Sequence, residues 1–242
     1  RCRTTGRRRR HPLMQHALID ADILNYRIGF ATNDEPESVA IRTMAGFLED
    51  LILFDLPEVQ TWELHLTGLN NFRNQYAVTV PYKGNRKGTD KPVHYRLLRD
   101  YLVSSWGAVV HDGIEADDML AIRATELGDD SVIVTLDKDL DQVVGWHYNF
   151  AKKIKYYIKE DEAMLNFYKQ FLTGDTVDNI IGAHRIGPKT ADKLLRGKTE
   201  SEMWAIILEH LGEERAIENG HLLYMLRTKD DYFKVPESGS KV

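Results

Sequence analysis

Short apolar runs alternate with longer amphipathic ones along most of this chain. His16–Asp20 (HALID), Trp62–Leu66, Ala108–Val110 and Ser131–Leu136 (SVIVTL) are brief and apolar, the last rich in β-branched residues, and each predicts a strand. Between them, Glu37–Asp55 sets Val39, Ile41, Met44, Ala45, Leu48, Leu51 and Ile52 at helical spacing behind Pro36. Val93–Val103 and Ala116–Leu127 predict two more helices. The stretch 68–81 reads as loop containing a short strand-like AVTV (77–80), and Lys153–Ile158, with Tyr148 before it, reads as edge strand. From about residue 160 the pattern turns helical, with helices expected at Glu160–Leu172, Ser201–Leu211 and Glu213–Arg227. Strand–helix alternation predicts an α/β fold with a mainly parallel sheet, followed by a helical part beyond a boundary near 165. Ligands of such sheets bind beyond the carboxyl ends of the strands. Asp20 and Asp137 both fall at that end.

Composition changes this picture little. The 242 residues are 43% hydrophobic and 29% charged, ordinary for a globular chain. No apolar run reaches the ~18 residues of a membrane span. The single cysteine, Cys2, excludes an internal disulfide framework and a cysteine zinc site, and it fits a reducing, cytoplasmic setting. Charge matters more. Residues 1–13 hold six arginines and no acid, so the overall −5 leaves −11 on the rest. A uniformly basic nucleic-acid surface is excluded; any such binding must use local patches. The expected organisation is a disordered basic leader at 1–13, an α/β domain at 14–165, a helical region at 166–236 and a disordered tail at 237–242.

The acids fall in clusters at element ends: Asp20; Glu115, Asp117 and Asp118 in GIEADD; Asp137 and Asp139 in TLDKDLD, with Asp141 in reserve; Asp175 and Asp178 in GDTVDNI. The last two are three apart, a spacing that lets both face one way on a helical turn. A single such acid is usually a helix cap or a solvated residue. Carboxylates converging on one site repel, and a divalent cation relieves that cost. Two metals ~4 Å apart can hold the attacking water and the departing oxygen of a phosphodiester. No Gly-rich phosphate loop or Ser/His/Asp set competes, and the nine histidines form no metal-ligand spacing.

Two basic segments complete the pattern. Tyr82–Arg99 carries Lys83, Arg86, Lys87, Lys91, Arg96 and Arg99 against one acid, Asp90. It reads as a clamp on a target phosphate, with Lys83 and Arg86 nearest the acids and Tyr82 available to stack on an unpaired base. Gly182–Lys198 carries Arg185, Lys189, Lys193, Arg196 and Lys198 against Asp192. Its IGPKTADKLL reads as a tight turn into a helix with Pro188 near the first position. Gly187, Lys189, Thr190 and their neighbours could there hold a phosphate without reading sequence.

LIDAD, YKGNR, GIEADDMLA, TLDKDLD, GDTVDNI and IGPKTA, in this order over residues 16–196, resemble the 5′-nuclease family of phage 5′→3′ exonucleases, flap endonucleases and the 5′-nuclease domain of DNA polymerase I. The resemblance implies a PIN-like α/β domain followed by a helix-three-turn-helix (helix-hairpin-helix) region. It implies Mg²⁺ or Mn²⁺ as two-ion cofactor, a K⁺ ion at the hairpin, and DNA with a free 5′ end, flap or nick as partner of a monomer. By match, Asp20, Glu115, Asp117, Asp137 and Asp139 serve the first metal; Asp118, Asp175 and Asp178 serve the second or its surroundings. One position departs: HLTGLNNFR places Thr67 or Gly68 where many relatives carry an Asp, leaving the first site one carboxylate short. Two other readings stay open, a PIN-like or RNase H-type nuclease acting on RNA or RNA–DNA hybrid, and a DNA-junction binding module without catalysis.

Overall fold

A computed structural model describes residues 15–86, 88 and 90–236. The expected leader and tail, and Lys87, lie outside the described residues.

Five parallel strands make up most of the sheet: β1 (His16–Asp20), β2 (Thr61–Thr67), β3 (Val109–His111), β4 (Ser131–Val134) and β5 (Gly145–Asn149). The antiparallel β6 (Ile154–Ile158) closes one edge, giving the order β3-β2-β1-β4-β5-β6. Covered on both faces, β1 and β4 read as continuous apolar runs, which is what a doubly covered parallel sheet demands. Ala17, Leu18, Ile19, Val132 and Val134 are wholly buried. Each of the Leu, Ile and Val side chains among them contributes roughly 1.5–3 kcal/mol by leaving water. Strand order reverses at β1, with β2 on one side and β4 on the other. This creates the switch-point crevice at the carboxyl ends.

The helices are α1 (Ala21–Ala31), α2 (Glu37–Asp50), α3 (Tyr95–Trp106), α4 (Ala116–Leu127), α5 (Glu160–Thr173), α6 (Pro188–Leu195), α7 (Glu200–Leu211) and α8 (Glu213–Leu223). The helix expected over 37–55 is α2 plus a wide π turn at Leu51–Asp55. Helix α1 has no counterpart in the periodicity, because polar Asn25 lies on its buried face while Tyr26 and Phe30 lie on its exposed one. The strand expected at 77–80 does not form. Its backbone N–H groups at Val78 and Thr79 donate instead to Glu218 Oε1, at 2.9 and 2.8 Å.

The expected boundary near 165 falls inside α5, which runs unbroken through it. The two cores also interlock. Tyr82 packs in the second core, that of the helical region, in one cluster with Tyr168, Phe171 and Trp204, while Met225 from the chain's last stretch packs in one cluster with Leu18 and Ile133 of the sheet. Between α5 and α6 lies a small hairpin, β7 (Gly174–Asp175) against β8 (Ile180–Ile181). A Cβ on Gly174 would stand 2.4 Å from the Gly182 backbone nitrogen, and its φ is +64°, so only glycine fits there. Asp175 therefore ends β7 and Asp178 lies in the turn that leads to β8, not on the expected helical turn. Asp175 Oδ1 accepts from the Val177 N–H at 2.7 Å and holds that turn. Among the described residues no helix is long and apolar enough to cross a membrane.

Candidate active site

A cavity of about 1210 Å³ opens at the switch point. Asp20, Glu115, Asp117, Asp137, Asp139, Asp175 and Asp178 all line it, so seven of the eight expected metal-site acids are brought together. Each arrives for a local reason. Asp20 ends β1 and caps α1, accepting from the Ile23 N–H at 3.1 Å. Asp137 follows β4 and accepts from the Asp139 N–H at 2.8 Å. Glu115 and Asp117 open α4.

The eighth, Asp118, is not at the cavity. It is fully buried, and its oxygens accept from Arg73 Nη1 (2.6 Å) and Nη2 (2.8 Å), the Glu115 N–H (3.0 Å) and the Leu226 N–H (3.2 Å). These four donors occupy its lone pairs, so Asp118 works as a structural anchor and not as a metal ligand. Its spacing matched, but i+3 of the Glu115 cap turns inward. Arg73 had no sequence signal beyond following Phe72 and is the main partner missed. Asp22 was missed as well; it lines the same cavity from the first turn of α1.

Acids outnumber bases along the cavity. Burial, then Asp22 and Asp137, push Asp20 up to about 7. Burial, then Asp137, Asp175 and Asp178, push Asp139 up to about 8. Asp117 is raised well above the carboxylate range by burial and by Asp20, Asp137 and Glu115. Burial also works to raise Glu115, but Lys83 and Arg73 outweigh it and hold Glu115 below its usual value.

The first basic segment reaches the cavity in part. Lys83 pairs with Glu115 and lies 3.5 Å from Asp178 Oδ2. Burial would lower its pKa, yet Glu115 and Asp178 keep it raised. Arg86 Nη2 donates to Asp178 Oδ1 at 2.6 Å and leaves its guanidinium half exposed. Arg96 is exposed on α3 and does not line the cavity. Tyr82 does not offer a stacking face, because its ring is buried in the second core. Its hydroxyl lies 2.8 Å from both Glu115 Oε2 and Asp178 Oδ2. Its one phenolic proton can go to either carboxylate. Exposed aromatic faces at the rim are instead Tyr26 and Phe30.

The second basic segment behaves as the pattern suggests in one respect. Arg185, Lys189 and Lys193 are exposed and make no ion pair among the described residues, whereas Arg196 is tied to Asp192 at 2.7 Å. Gly187 caps α6, Pro188 takes its first position, Thr190 is exposed in its first turn, and Gly187 and Pro188 line the cavity rim.

Asp117 shows that this donor set fits divalent cations. It faces the cavity and three like charges, with no hydrogen-bond or ion-pair partner among the described residues. The lining contains no His or Cys, and oxygen-only sites suit hard cations. No three acidic or histidine side chains among the described residues already close on one ion-sized point. Mg²⁺ usually takes only a few carboxylates and retains several waters that span such gaps. A test follows from the raised acids. They bind more protons folded than unfolded, so between 3.8 and about 8 stability falls as pH rises. In chelator the melting temperature should be several degrees higher at pH 5 than at pH 8, and added Mg²⁺ should recover the loss at pH 8. A melting temperature that rises with pH in chelator would contradict this charge distribution.

Fold and site together define a class: a parallel-sheet α/β protein with a carboxylate cavity at its switch point and fixed cations on the rim. The model of the 5′-3′ exonuclease N-terminal resolvase-like domain matches residues 15–170, and the chain belongs to that 5′-3′ exonuclease family. It is 27% identical over 202 residues to the 5′-3′ exonuclease of Buchnera aphidicola subsp. Schizaphis graminum, covering 74% of this chain and 69% of that one. It is 34% identical over 131 residues to DNA polymerase I of Rhizobium leguminosarum, covering 47% of this chain and only 13% of the polymerase. Its fold is similar to that of the T5 D15 protein co-crystallised with metal ions, with a TM-score of 0.67, 18% identity, and coverage of 88% and 89%. It is also similar to the bacteriophage T5 D15 flap endonuclease in complex with DNA and metal ions, with a TM-score of 0.57, 17% identity, and coverage of 86% and 93%.

Proposed function

We propose that this member of the 5′-3′ exonuclease family is a divalent-metal-dependent 5′ nuclease hydrolysing DNA phosphodiesters near a free 5′ end, flap or nick. The observation that carries this reading is the convergence of seven expected acids from separate chain segments in one cavity, with Lys83 and Arg86 at its edge. The T5 D15 structures, with metal ions and with DNA, support it. Asp20, Asp117, Asp137 and Asp139 would hold one Mg²⁺ or Mn²⁺, and Asp175 with Asp178 would serve a second. Divalent ions bound there supply an activated water and stabilise the departing oxygen.

The protein's own residues supply the rest. Lys83 and Arg86 are already oriented by Glu115 and Asp178, so they meet an incoming phosphate at little ordering cost. Arg86, with one nitrogen on Asp178, keeps further donors for phosphate oxygens. Tyr26 and Phe30 offer faces to an unpaired base at the rim. Arg185, Lys189 and Lys193 hold backbone phosphate of the duplex. Lys189→Ala should weaken DNA binding and reduce the slope of log affinity against log salt by about one phosphate's worth. Unchanged affinity and slope, measured by fluorescence anisotropy, would remove the α6 segment from the interface.

The deciding experiment follows 5′-labelled flap, nicked and blunt DNA with Mg²⁺ and with chelator. Short 5′ products appearing only with metal are expected. No metal-dependent product on any of the three substrates, or products released from the 3′ end, would overturn the proposal.

A further inference from the structure

Strand β2 is the one strand beside β1 that brings no carboxylate to the cavity. It ends at Thr67–Gly68, whereas β1 ends in Asp20 and β4 leads into Asp137. Gly68 has no room for a side chain. A Cβ there would stand 2.1 Å from Asp112 Oδ1 and 2.7 Å from the His111 carbonyl oxygen. The place is filled from elsewhere. Asp22, in the first turn of α1, reaches across so that its Oδ2 accepts from the Thr67 N–H at 2.8 Å. It faces the same cavity, close enough to Asp20 and Glu115 for their charges to act on one another. Its other oxygen, Oδ1, has Arg99 Nη1 at 3.5 Å, and the Thr67 hydroxyl is also within reach of the carboxylate. That Nη1 is itself buried without a hydrogen-bond partner, while Nη2 of the same residue donates to the Thr67 carbonyl at 2.7 Å.

We propose that Asp22 is the carboxylate that the end of β2 lacks, and that its Oδ1 takes a divalent cation in this cavity, directly or through one water. This rests on the metal-dependent reading above. Thr67 fixes the carboxylate, so Oδ1 is aimed without further ordering. Arg99 stands beside it as a competing positive charge, which tempers the site's affinity for the ion. Asp22 and Arg99 thus push cation binding in opposite directions, and a merely structural pair would not.

The test is Mn²⁺ binding to the full chain without DNA, followed by the electron paramagnetic resonance signal of free Mn²⁺, with melting temperature in chelator measured alongside. Asp22→Asn keeps an oxygen for the Thr67 N–H and should weaken Mn²⁺ binding about ten-fold or more, the scale of losing a group that supports a metal site. Arg99→Gln should tighten it. Asp117→Asn tests the underlying reading. If Asp117→Asn abolishes Mn²⁺ binding while Asp22→Asn and Arg99→Gln leave it unchanged, Asp22 is only Arg99's partner and this proposal alone falls. If Asp117→Asn also leaves binding intact, the metal-site reading falls and takes this proposal with it.

Discussion

Replacing Asp117 with Asn should abolish metal-dependent cleavage and, in chelator at pH 8, raise the melting temperature. The two outcomes share one cause. Asp117 sits among Asp20, Asp137 and Glu115 without a protein donor, so its ionised form is opposed by burial and by all three neighbours. An amide of the same shape relieves that repulsion in the free protein. It also removes a negative oxygen where a cation must be held. Loss of an ion that stabilises both attacking and departing oxygens should slow cleavage by about 10³-fold or more, equivalent to roughly 4 kcal/mol of barrier. Asp141→Asn is the matched control. Asp141 lies off the cavity with its Oδ1 accepting from the Tyr156 hydroxyl at 2.8 Å, and cleavage should persist. Single-turnover rates on a 5′-labelled flap, with thermal melts in chelator, measure both effects. Full retained cleavage by Asp117→Asn would remove it from the metal site. A lower melting temperature in chelator would show that its charge is compensated by something other than a cation.

What could be read from the chain divides along physical lines. β1, β4 and the acids at their ends were legible, because a parallel strand buried on both faces leaves an apolar run whose last polar residue marks the crevice. Lys83 and Arg86 were legible from local charge density. Contacts set by distant parts of the chain were not. Arg73 and Asp118 are 45 positions apart, and nothing near either one says that they meet. Asp118 therefore read as one more cavity acid. Tyr82 read as a free aromatic because its neighbours are polar and basic, yet the second core that buries it comes from residues beyond 160. Asp175 and Asp178 were placed correctly at the cavity but on the wrong element, since three-residue spacing fits a hairpin turn as well as a helix. The absent acid at Gly68 was legible as a gap. Its neighbour in space, Asp22, was not recognised, because only the parallel register of β1 with β2 places α1's first turn beside Thr67.

Arg73→Ala should be the most destabilising single substitution at the site, costing about 3–5 kcal/mol. Arg73 is 2% exposed and Asp118 is 0% exposed, so each charge is tolerated only because of the other. The guanidinium forks onto both Asp118 oxygens, and the remaining donors reach the carbonyls of Leu222 (2.9 Å) and Tyr224 (2.8 Å) at the end of α8. One side chain thus ties the start of α4, and with it Glu115 and Asp117, to the last helix. Truncation leaves a buried carboxylate without its cation and two carbonyls without donors. A domain of this size has only about 5–15 kcal/mol in total, so a fall of roughly 10 °C or more in melting temperature is expected. The double variant Arg73→Met with Asp118→Leu should recover much of the loss, because replacing both partners removes the stranded charge. Urea unfolding at pH 7 measures both effects. A cost near 1 kcal/mol would mean that the pair does not hold α4 to α8.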